Sequence, residues 1–227
     1  MHELLTGPMI WISLCVFIFG MLARIILYIR GLDWKLDRVA YRAHPKAGMK
    51  GAARSIISFL IPFATSSWRK QPSMTITFFI FHLGAVLVPL FLLAHNMILK
   101  DIFYFSFPMT LNMCIADLLS WGVIVCGILL ILRRIALPEV RILTNTNDYF
   151  ILFLALAPFV TGLIARYQVG DYQFWYIMHL LFGELFLILA PFTKMSHIVL
   201  FFMSRGQLGM DFGIKRGGMK EGGSMAW

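Results

Sequence analysis

The sequence predicts an all-α integral membrane protein, a bundle of five transmembrane helices with its N-terminus outside the cell and its C-terminus in the cytoplasm. At 59% hydrophobic and only 14% charged, the 227 residues are too apolar for a soluble domain of this size. Five apolar runs are long enough to cross a hydrocarbon core of about 30 Å as helices. Sixteen of the twenty Lys and Arg residues fall in alternate loops and the tail, which the positive-inside rule makes cytoplasmic.

The five spans are expected over about residues 8–29, 73–98, 107–132, 148–167 and 174–203, forming one membrane domain over 8–205. A basic cytoplasmic loop, 30–72, separates the first two spans, and its short apolar piece at 55–64 is expected to lie half-buried at the membrane surface. Pro89 removes a backbone hydrogen bond inside the second span, which predicts a kink. Residues 206–227 are rich in Gly with basic residues, a composition typical of a flexible tail.

Composition and motifs exclude several classes of function. The net charge of +9 could indicate a nucleic-acid partner, but the basic residues lie in loops between apolar runs and form no aromatic-basic patch. Cys15, Cys114 and Cys126 lie within apolar runs without CxxC or CxxCH spacing, which argues against an iron–sulfur cluster or a c-type haem. No phosphate-binding, dinucleotide-binding or hydrolytic motif is present in the sequence.

Four histidines lie inside two of the predicted spans. The last span reads HLLFGELFLILAPFTKMSH from His179 to His197, and the spacing of eighteen residues places both imidazoles about 27 Å apart on one face of a helix. The predicted topology puts His82 of span two level with His197 near the cytoplasm, and His95 level with His179 near the outside. Because ionisable side chains inside a membrane usually mark a functional site, this pattern predicts two stacked haem b groups with axial histidines.

The spacing of the histidines in span two supports the outer pair, His95 and His179, less than the inner pair. His82 and His95 are thirteen residues apart, which on a straight helix leaves them about 140° out of phase. Pro89 between them could bend or unwind the span. If only one haem binds, the pair His82 and His197 is the expected site, and any single membrane histidine could instead be a packing residue.

Several charged residues near these spans have two interpretations each. Lys194, one turn before His197, is either a partner of a haem propionate or a lysine that reaches the membrane surface. Arg69, in the segment SSWRKQP, is either a surface anchor or a propionate partner. Arg166 and Tyr167 are expected mainly as interface anchors, with a propionate role as the alternative.

Two carboxylates are expected inside the membrane. Glu184 lies about 140° from both histidines of its span, and Asp117 lies within span three. A buried carboxylate is costly enough to require a charge partner or a water path. Glu184 could therefore relay protons, or it could pair with Arg24 of the first span.

The histidine motifs resemble those of a known family. The last span, with its eighteen-residue histidine spacing, a Gly four residues after the first His and a Pro-Phe-Thr-Lys run, resembles the last helix of the gamma (cytochrome b) subunit of respiratory nitrate reductase. FHLG at residues 81–84 resembles the first-ligand segment of that subunit's second helix. In that subunit the second ligand follows ten residues after the first, a position that is Leu92 here, so His95 would be a shifted substitute.

The basic loop and the WRKQP segment are similar to relatives in the same family. These are the membrane subunits of heterodisulfide reductase and of the transmembrane redox complexes of sulfate-reducing bacteria, of the high-molecular-weight cytochrome complex type. The resemblance implies that His82 and His197 hold an inner haem b, and that His95 and His179 hold an outer one. It also implies an electron-transfer subunit of a respiratory oxidoreductase complex in the cytoplasmic (inner) membrane.

The partners that follow from this resemblance are a cytoplasmic iron–sulfur subunit, other membrane subunits, and either a periplasmic multihaem cytochrome c or a quinone pool such as menaquinone. Whether the chain has quinol-oxidising activity of its own stays open at this point. The alternative from a different class is a haem-free membrane anchor or proton-relay subunit.

Overall fold

A computed structural model describes residues 4–32 and 44–217, and every regular element in these ranges is helical. Five helices are long and apolar enough to cross a membrane: Leu5–Gly31, Pro72–Phe91, Met113–Ala136, Thr146–Arg166 and Tyr172–Phe192. The predicted fold class, all-α with five helices long and apolar enough to span a membrane, is confirmed for the described residues. Inside a bilayer a helix satisfies all of its own backbone polar groups, which is why long apolar runs adopt it.

The helices are numbered here in chain order. They are α1 Leu5–Gly31, which opens with a π-helical turn, α2 Pro45–Leu60, α3 Ser66–Lys70, α4 Pro72–Phe91, α5 Leu93–Phe103, α6 Met113–Ala136, α7 Pro138–Arg141, α8 Thr146–Arg166, α9 Tyr172–Leu189 and α10 His197–Gly217. The described chain divides into two compact units. The first holds residues 4–14 and 71–188, and the second holds 15–32, 44–70 and 189–217.

The second span is broken three residues after Pro89. Leu92 has an extended conformation (φ −65°, ψ 133°), so α4 ends at Phe91 and α5 begins at Leu93. The Phe91 carbonyl, released by the break, accepts a hydrogen bond from the Leu111 N–H (2.8 Å). The expected kink at Pro89 is therefore a full interruption of the helix, and another part of the chain satisfies the freed backbone.

The loop after α5 is held by a buried amide, which moves the start of the third span. The Asn96 side chain accepts from the Phe107 N–H (2.8 Å) and donates to the Phe107 carbonyl (3.0 Å). Asn112 then caps α6 by accepting from the Cys114 N–H. The third span consequently runs over Met113–Ala136 instead of the predicted 107–132.

The core of the first unit joins α4, α6 and α8 through small residues. Phe81, Val123, Cys126 and Leu156 form the buried cluster. A Cβ atom on Gly84 would lie 2.8 Å from the Leu119 carbonyl oxygen, so the missing side chain lets α4 and α6 approach closely. Inside a bilayer the hydrophobic effect does not drive helices together. Close packing between backbones is therefore a main source of helix–helix association.

The second unit is built on a pair of helices that the sequence did not suggest. The helices α2 and α10 pack along their length because Gly51, Gly209 and Gly213 face each other without side chains. A Cβ atom on Gly213 would lie 2.8 Å from the Ala47 carbonyl oxygen. Arg205 of α10 lies over the Phe59 ring at 3.8 Å, and burial lowers the pKa of its guanidinium.

The structure adds helical order to two stretches of this part of the chain. Residues 206–217, expected as a flexible tail, form the second half of α10, in which Gly209 and Gly213 lie against the α2 backbone. The apolar piece at 55–64 belongs largely to α2, which begins at Pro45 and packs on α10 over its length. Residues 218–227 of the tail and 33–43 of the basic loop lie outside the described part of the chain.

The α2–α10 contact gives a direct test. We expect Gly209→Ala to destabilise the pair by about 1–3 kcal/mol, because the new methyl group overlaps the α2 backbone and the Ser55 side chain. Hydrogen–deuterium exchange of the α2 and α10 amides should accelerate. Gly206→Ala in the same helix is the control, since its nearest neighbour would be an Ile56 methyl at 3.9 Å. That variant should gain about 1 kcal/mol of helix propensity. Equal exchange in the two variants would contradict the packing role of Gly209.

Candidate functional site

The structure brings His95 and His179 together in the first unit. His95 lies on α5 and His179 on α9, and their imidazole planes are within 6° of parallel with ring centroids 5.9 Å apart. Both side chains are half-buried. The phase difference of about 140° expected between His82 and His95 does not apply, because the break at Leu92 separates the helices that carry them.

Both imidazoles bind a backbone carbonyl through Nδ1. The Nδ1 of His179 donates to the Pro158 carbonyl (2.8 Å), and that of His95 donates to the Pro89 carbonyl (3.1 Å). Because a carbonyl oxygen only accepts, each Nδ1 must carry the proton, which leaves the lone pair of a neutral ring on Nε2. Metal-bound histidines in proteins typically have this arrangement.

Local backbone geometry explains why these carbonyls are available. In a continuous helix the Pro89 carbonyl would accept from the N–H of residue 93, and the break at Leu92 removes that partner. Pro158 lies inside α8, where its carbonyl also receives a longer contact from the Thr161 hydroxyl (3.3 Å). The two prolines therefore mark the acceptor positions for the two histidines.

Gly162 makes room for the His179 ring. A Cβ atom on Gly162 would lie 3.0 Å from both Cε1 and Nδ1 of His179, so a larger residue would push the ring away from Pro158. The sequence analysis missed Gly162. Its only signal was its place on α8, one helical turn after Pro158 on the same face.

Gly183 lies one turn after His179 on the same face of α9. A Cβ atom there would meet no atom within 4 Å in the described part of the chain. The face that carries the His179 imidazole is therefore open beside the ring. A flat group could lie against the α9 backbone at this point.

His82 and His197 share the same hydrogen-bond pattern but lie in different units. The Nδ1 of His82 donates to the Phe78 carbonyl (2.9 Å), and the Phe78 ring lies 4.0 Å from the imidazole. The Nδ1 of His197 donates to the Lys194 carbonyl (2.8 Å). His82 belongs to the first unit and His197 to the second. Their predicted pairing stays a prediction.

The argument that placed His179 and His197 on one face of one helix was wrong. The helix α9 ends at Leu189, a 3₁₀ turn follows at Ala190–Phe192, and Thr193 is extended. Pro191 lacks the N–H that would continue the helix, and the Thr193 hydroxyl accepts from the Met195 N–H at the start of the next turn. His197 is thus the first residue of a separate helix, α10.

The two cations predicted for haem propionates either bind backbone carbonyls or lie at the protein surface. Arg69 donates through Nη1 to the Phe63 and Ala64 carbonyls (3.0 and 3.1 Å), which closes the turn between α2 and α3. Lys194 is exposed in the turn before α10. The propionate roles of Arg69 and Lys194 stay predictions.

Arg166 lies on the side of α8 that faces His179. Pro158, Gly162 and Arg166 follow at intervals of four residues, so all three lie on one helical stripe. The Arg166 Nε is 3.8 Å from the Asp117 carboxylate, and the Arg166 side chain is 46% exposed. Asp117 therefore has the charge partner expected of a membrane carboxylate, whereas Tyr167 ends the helix with an exposed ring.

Glu184 has no such partner. It is 5% exposed, and neither carboxylate oxygen has a hydrogen-bond partner among the residues that the structure describes. Arg24, the candidate partner, lies in the second unit and donates its Nε to the Pro191 carbonyl (2.6 Å). This carboxyl is the least compensated polar group of the first unit.

A cavity of about 250 Å³ in the first unit is lined by residues of α1, α5 and α9. Its polar lining comes from Thr6, Asp101 and Tyr176, and its apolar lining comes from Ile10, Ile98, Ile102 and Leu180. Ile98 follows His95 by about one turn, and Tyr176 precedes His179 by about one turn. One lining residue on α5 and one on α9 are thus about one helical turn in sequence from the histidine of the same helix.

Within 4–32 and 44–217, no group of three or more His, Cys, Asp or Glu side chains could hold a metal ion. A metal held by protein ligands alone would need such a group. A haem iron needs only one or two axial protein ligands, because the porphyrin supplies its other bonds. Two imidazoles, as at His95 and His179, would be enough to supply those ligands.

No protein-family model matches the chain, and no solved structure matches it. The chain is similar to a protein of Nitratidesulfovibrio vulgaris (strain Hildenborough), with 60% identity over 227 residues that cover 100% of both chains. The relative bears only the name "Protein", which states no activity. The chain belongs to the same family as this Nitratidesulfovibrio protein.

Proposed function

We propose that this chain is a membrane cytochrome b subunit, which carries electrons across the bilayer through two b-type haems with two axial histidines each. The observation that carries the proposal is the His95–His179 pair. Two neutral imidazoles lie parallel across a gap, and each is oriented by an Nδ1–H bond to a carbonyl. Axial histidines of a haem iron share two of these features, a neutral ring and an Nδ1–H bond to a carbonyl.

The spacing of the pair fits one iron between the rings. A metal–imidazole bond is about 2.0 Å, and the ring centroid lies about 1 Å beyond the nitrogen, so two axial rings need centroids about 6 Å apart. The observed centroid distance is 5.9 Å, with planes 6° from parallel. The open face at Gly183 supplies room for the porphyrin beside His179.

A second haem at His82 and His197 stays a prediction from the sequence, because the two residues lie in different units. Support comes from their common hydrogen-bond pattern, in which each Nδ1–H is bound to a carbonyl of its own segment. That bond fixes the tautomer that places the lone pair on Nε2 in both rings. Arg69 and Lys194 are the cations proposed to pair with the propionates of this haem.

When bound, haem supplies one-electron chemistry at its iron. The chain's own residues hold the axial positions, orient the imidazoles through backbone carbonyls and set the local charge. Ring and aliphatic side chains such as Phe78 keep water from the histidines. Ligand type, burial and nearby charge are the means by which a protein tunes a haem potential.

The proposed partners follow from charge and from the cavity. The exposed Lys46, Lys50 and Arg54 form one basic stripe along α2, which suits an acidic cytoplasmic iron–sulfur subunit. The cavity lined by Thr6, Asp101 and Tyr176 favours a quinone such as menaquinone as electron donor or acceptor, with a multihaem cytochrome c as the alternative. We place the complex in the cytoplasmic (inner) membrane, with the N-terminus outside and the basic loops inside.

Haem stoichiometry tests the proposal. We expect two haems per chain with low-spin b-type absorption bands, and one haem in both His95→Ala and His179→Ala. The double variant should also keep one haem, because the two residues share a site. His44→Ala is the control, since this exposed histidine lies outside both proposed sites. A colourless, folded protein would favour the haem-free anchor or proton-relay subunit.

Gly183 offers a sharper test of where the porphyrin lies. We expect Gly183→Leu to lose one haem while the chain stays folded, because no protein atom lies within 4 Å of the new Cβ. Haem content and circular dichroism measure the two effects. Gly7→Leu is the control, since Gly7 is equally open but lies on α1. Unchanged haem content in Gly183→Leu would show that this face is covered by lipid alone.

The Arg166–Asp117 pair predicts opposite shifts in redox potential. Arg166→Gln should lower the midpoint potential of one haem, because the loss of a nearby positive charge makes electron uptake less favourable. Asp117→Asn should raise the same potential. The shifts should be on the order of tens of millivolts, since Arg166 is half exposed and partly screened.

Potentiometric titration of the two haems measures these shifts, with Arg141→Gln on α7 as the charge-matched control. Shifts of the same sign in Arg166→Gln and Asp117→Asn would remove the pair from the proposed site. Equal shifts of both haems would do the same, because a local charge acts mainly on the nearer iron.

A further inference from the structure

Glu184 is the one fully buried side chain of α9, a helix that the structure describes completely. Its carboxylate oxygens lack hydrogen-bond partners among the described residues, and no cation lies within ion-pair distance of them there. An ionised carboxylate without a partner inside a membrane would cost several kcal/mol. The protonated form of Glu184 is therefore the less costly one at this position.

The position of Glu184 on α9 connects it to the cavity. Tyr176, Leu180 and Glu184 follow at intervals of four residues and form one stripe of the helix. Tyr176 and Leu180 both line the cavity. Glu184 is one helical turn, about 6 Å, beyond the last of these lining residues.

The part of α1 in the first unit also contributes residues to the cavity and carries a buried polar side chain one turn further on. Thr6 and Ile10 line the cavity opposite the stripe of α9. One turn further, Ser13 is fully buried and donates its hydroxyl to the Ile10 carbonyl (2.9 Å). A buried polar side chain therefore also follows the cavity-lining residues on α1.

The cavity can hold water. At about 250 Å³ it has room for several molecules, each of which takes about 30 Å³ in the liquid. The Asp101 carboxylate and the hydroxyls of Thr6 and Tyr176 supply polar contacts for them. Water in a protein cavity needs such partners, so this cavity is suited to hydration.

Other titratable groups of the first unit do not compensate Glu184. Residues 4–14 of α1 contain none. His179 lies about 140° away around α9 and faces His95, and Asp117 faces Arg166. Asp101 and Tyr176 in the cavity are the titratable groups on the stripe side, and neither brings a positive charge.

We propose that Glu184 is a proton-binding site inside the membrane bundle, and that it exchanges its proton with water through the cavity lined by Thr6, Asp101 and Tyr176. The ligand is a proton, which the Glu184 carboxyl binds and releases. This proposal does not depend on haem. It would give the chain a proton-carrying function beside its proposed electron transfer.

Infrared spectroscopy of the full-length chain in lipid vesicles tests the site. We expect the carbonyl stretch of a protonated carboxylic acid at neutral pH, and we expect Glu184→Gln to lose it. Glu184→Asp should shift the band, which assigns it to this side chain even if the Gln variant is poorly folded. Absence of the band from the wild-type protein, or its full retention in both variants, would overturn the proposal.

The route is tested by the rate at which the band shifts in D₂O. Leu180→Trp fills the cavity and should slow the exchange, whereas Leu181→Trp should not, because Leu181 is exposed on another face of α9. Equal exchange rates in the two variants would refute the route through the cavity. The measurement can be made on haem-free protein, so a failure of the haem proposal is detected separately by haem content.

Discussion

The break of the second span at Leu92 is the constraint on which the candidate site depends. In hydrocarbon, an interrupted helix leaves carbonyls without partners, and each must find one inside the protein. Here the Phe91 carbonyl receives the Leu111 N–H, and the Pro89 carbonyl receives the His95 imidazole. The interruption is therefore stabilised by the loop and by the histidine, and it turns His95 toward α9.

A proline carbonyl orients each histidine of the pair. Pro89 precedes the break whose freed carbonyl orients His95, and the Pro158 carbonyl orients His179. Each bond selects a tautomer and holds the ring in one plane, and the planes agree within 6°. Ring orientation is therefore determined by the backbone of the spans and does not require further side chains.

Glycines contribute three different spatial effects in this chain. Gly84 and Gly209 remove side chains where helices pack backbone to backbone. Gly162 leaves space for an imidazole, and a Cβ atom on Gly183 would meet no neighbouring element within 4 Å in the described part of the chain. The tail glycines looked like a sign of flexibility in the sequence, but up to residue 217 they belong to a packed helix.

The sequence alone was sufficient for the five spans, the all-helical class and the four histidines, because the bilayer requires a length of apolar residues and penalises ionisable ones. The sequence could not predict where the helices break. The positions of Pro89 and Pro191 do not determine which later residue leaves the helical conformation, or which group donates to the freed carbonyl. Only the tertiary structure decided that His95 lies next to His179, that Gly162 makes room for the ring and that Glu184 is buried with no hydrogen-bond partner among the described residues. These features depend on contacts between residues distant in the chain, and a periodic pattern within one segment carries no information about them.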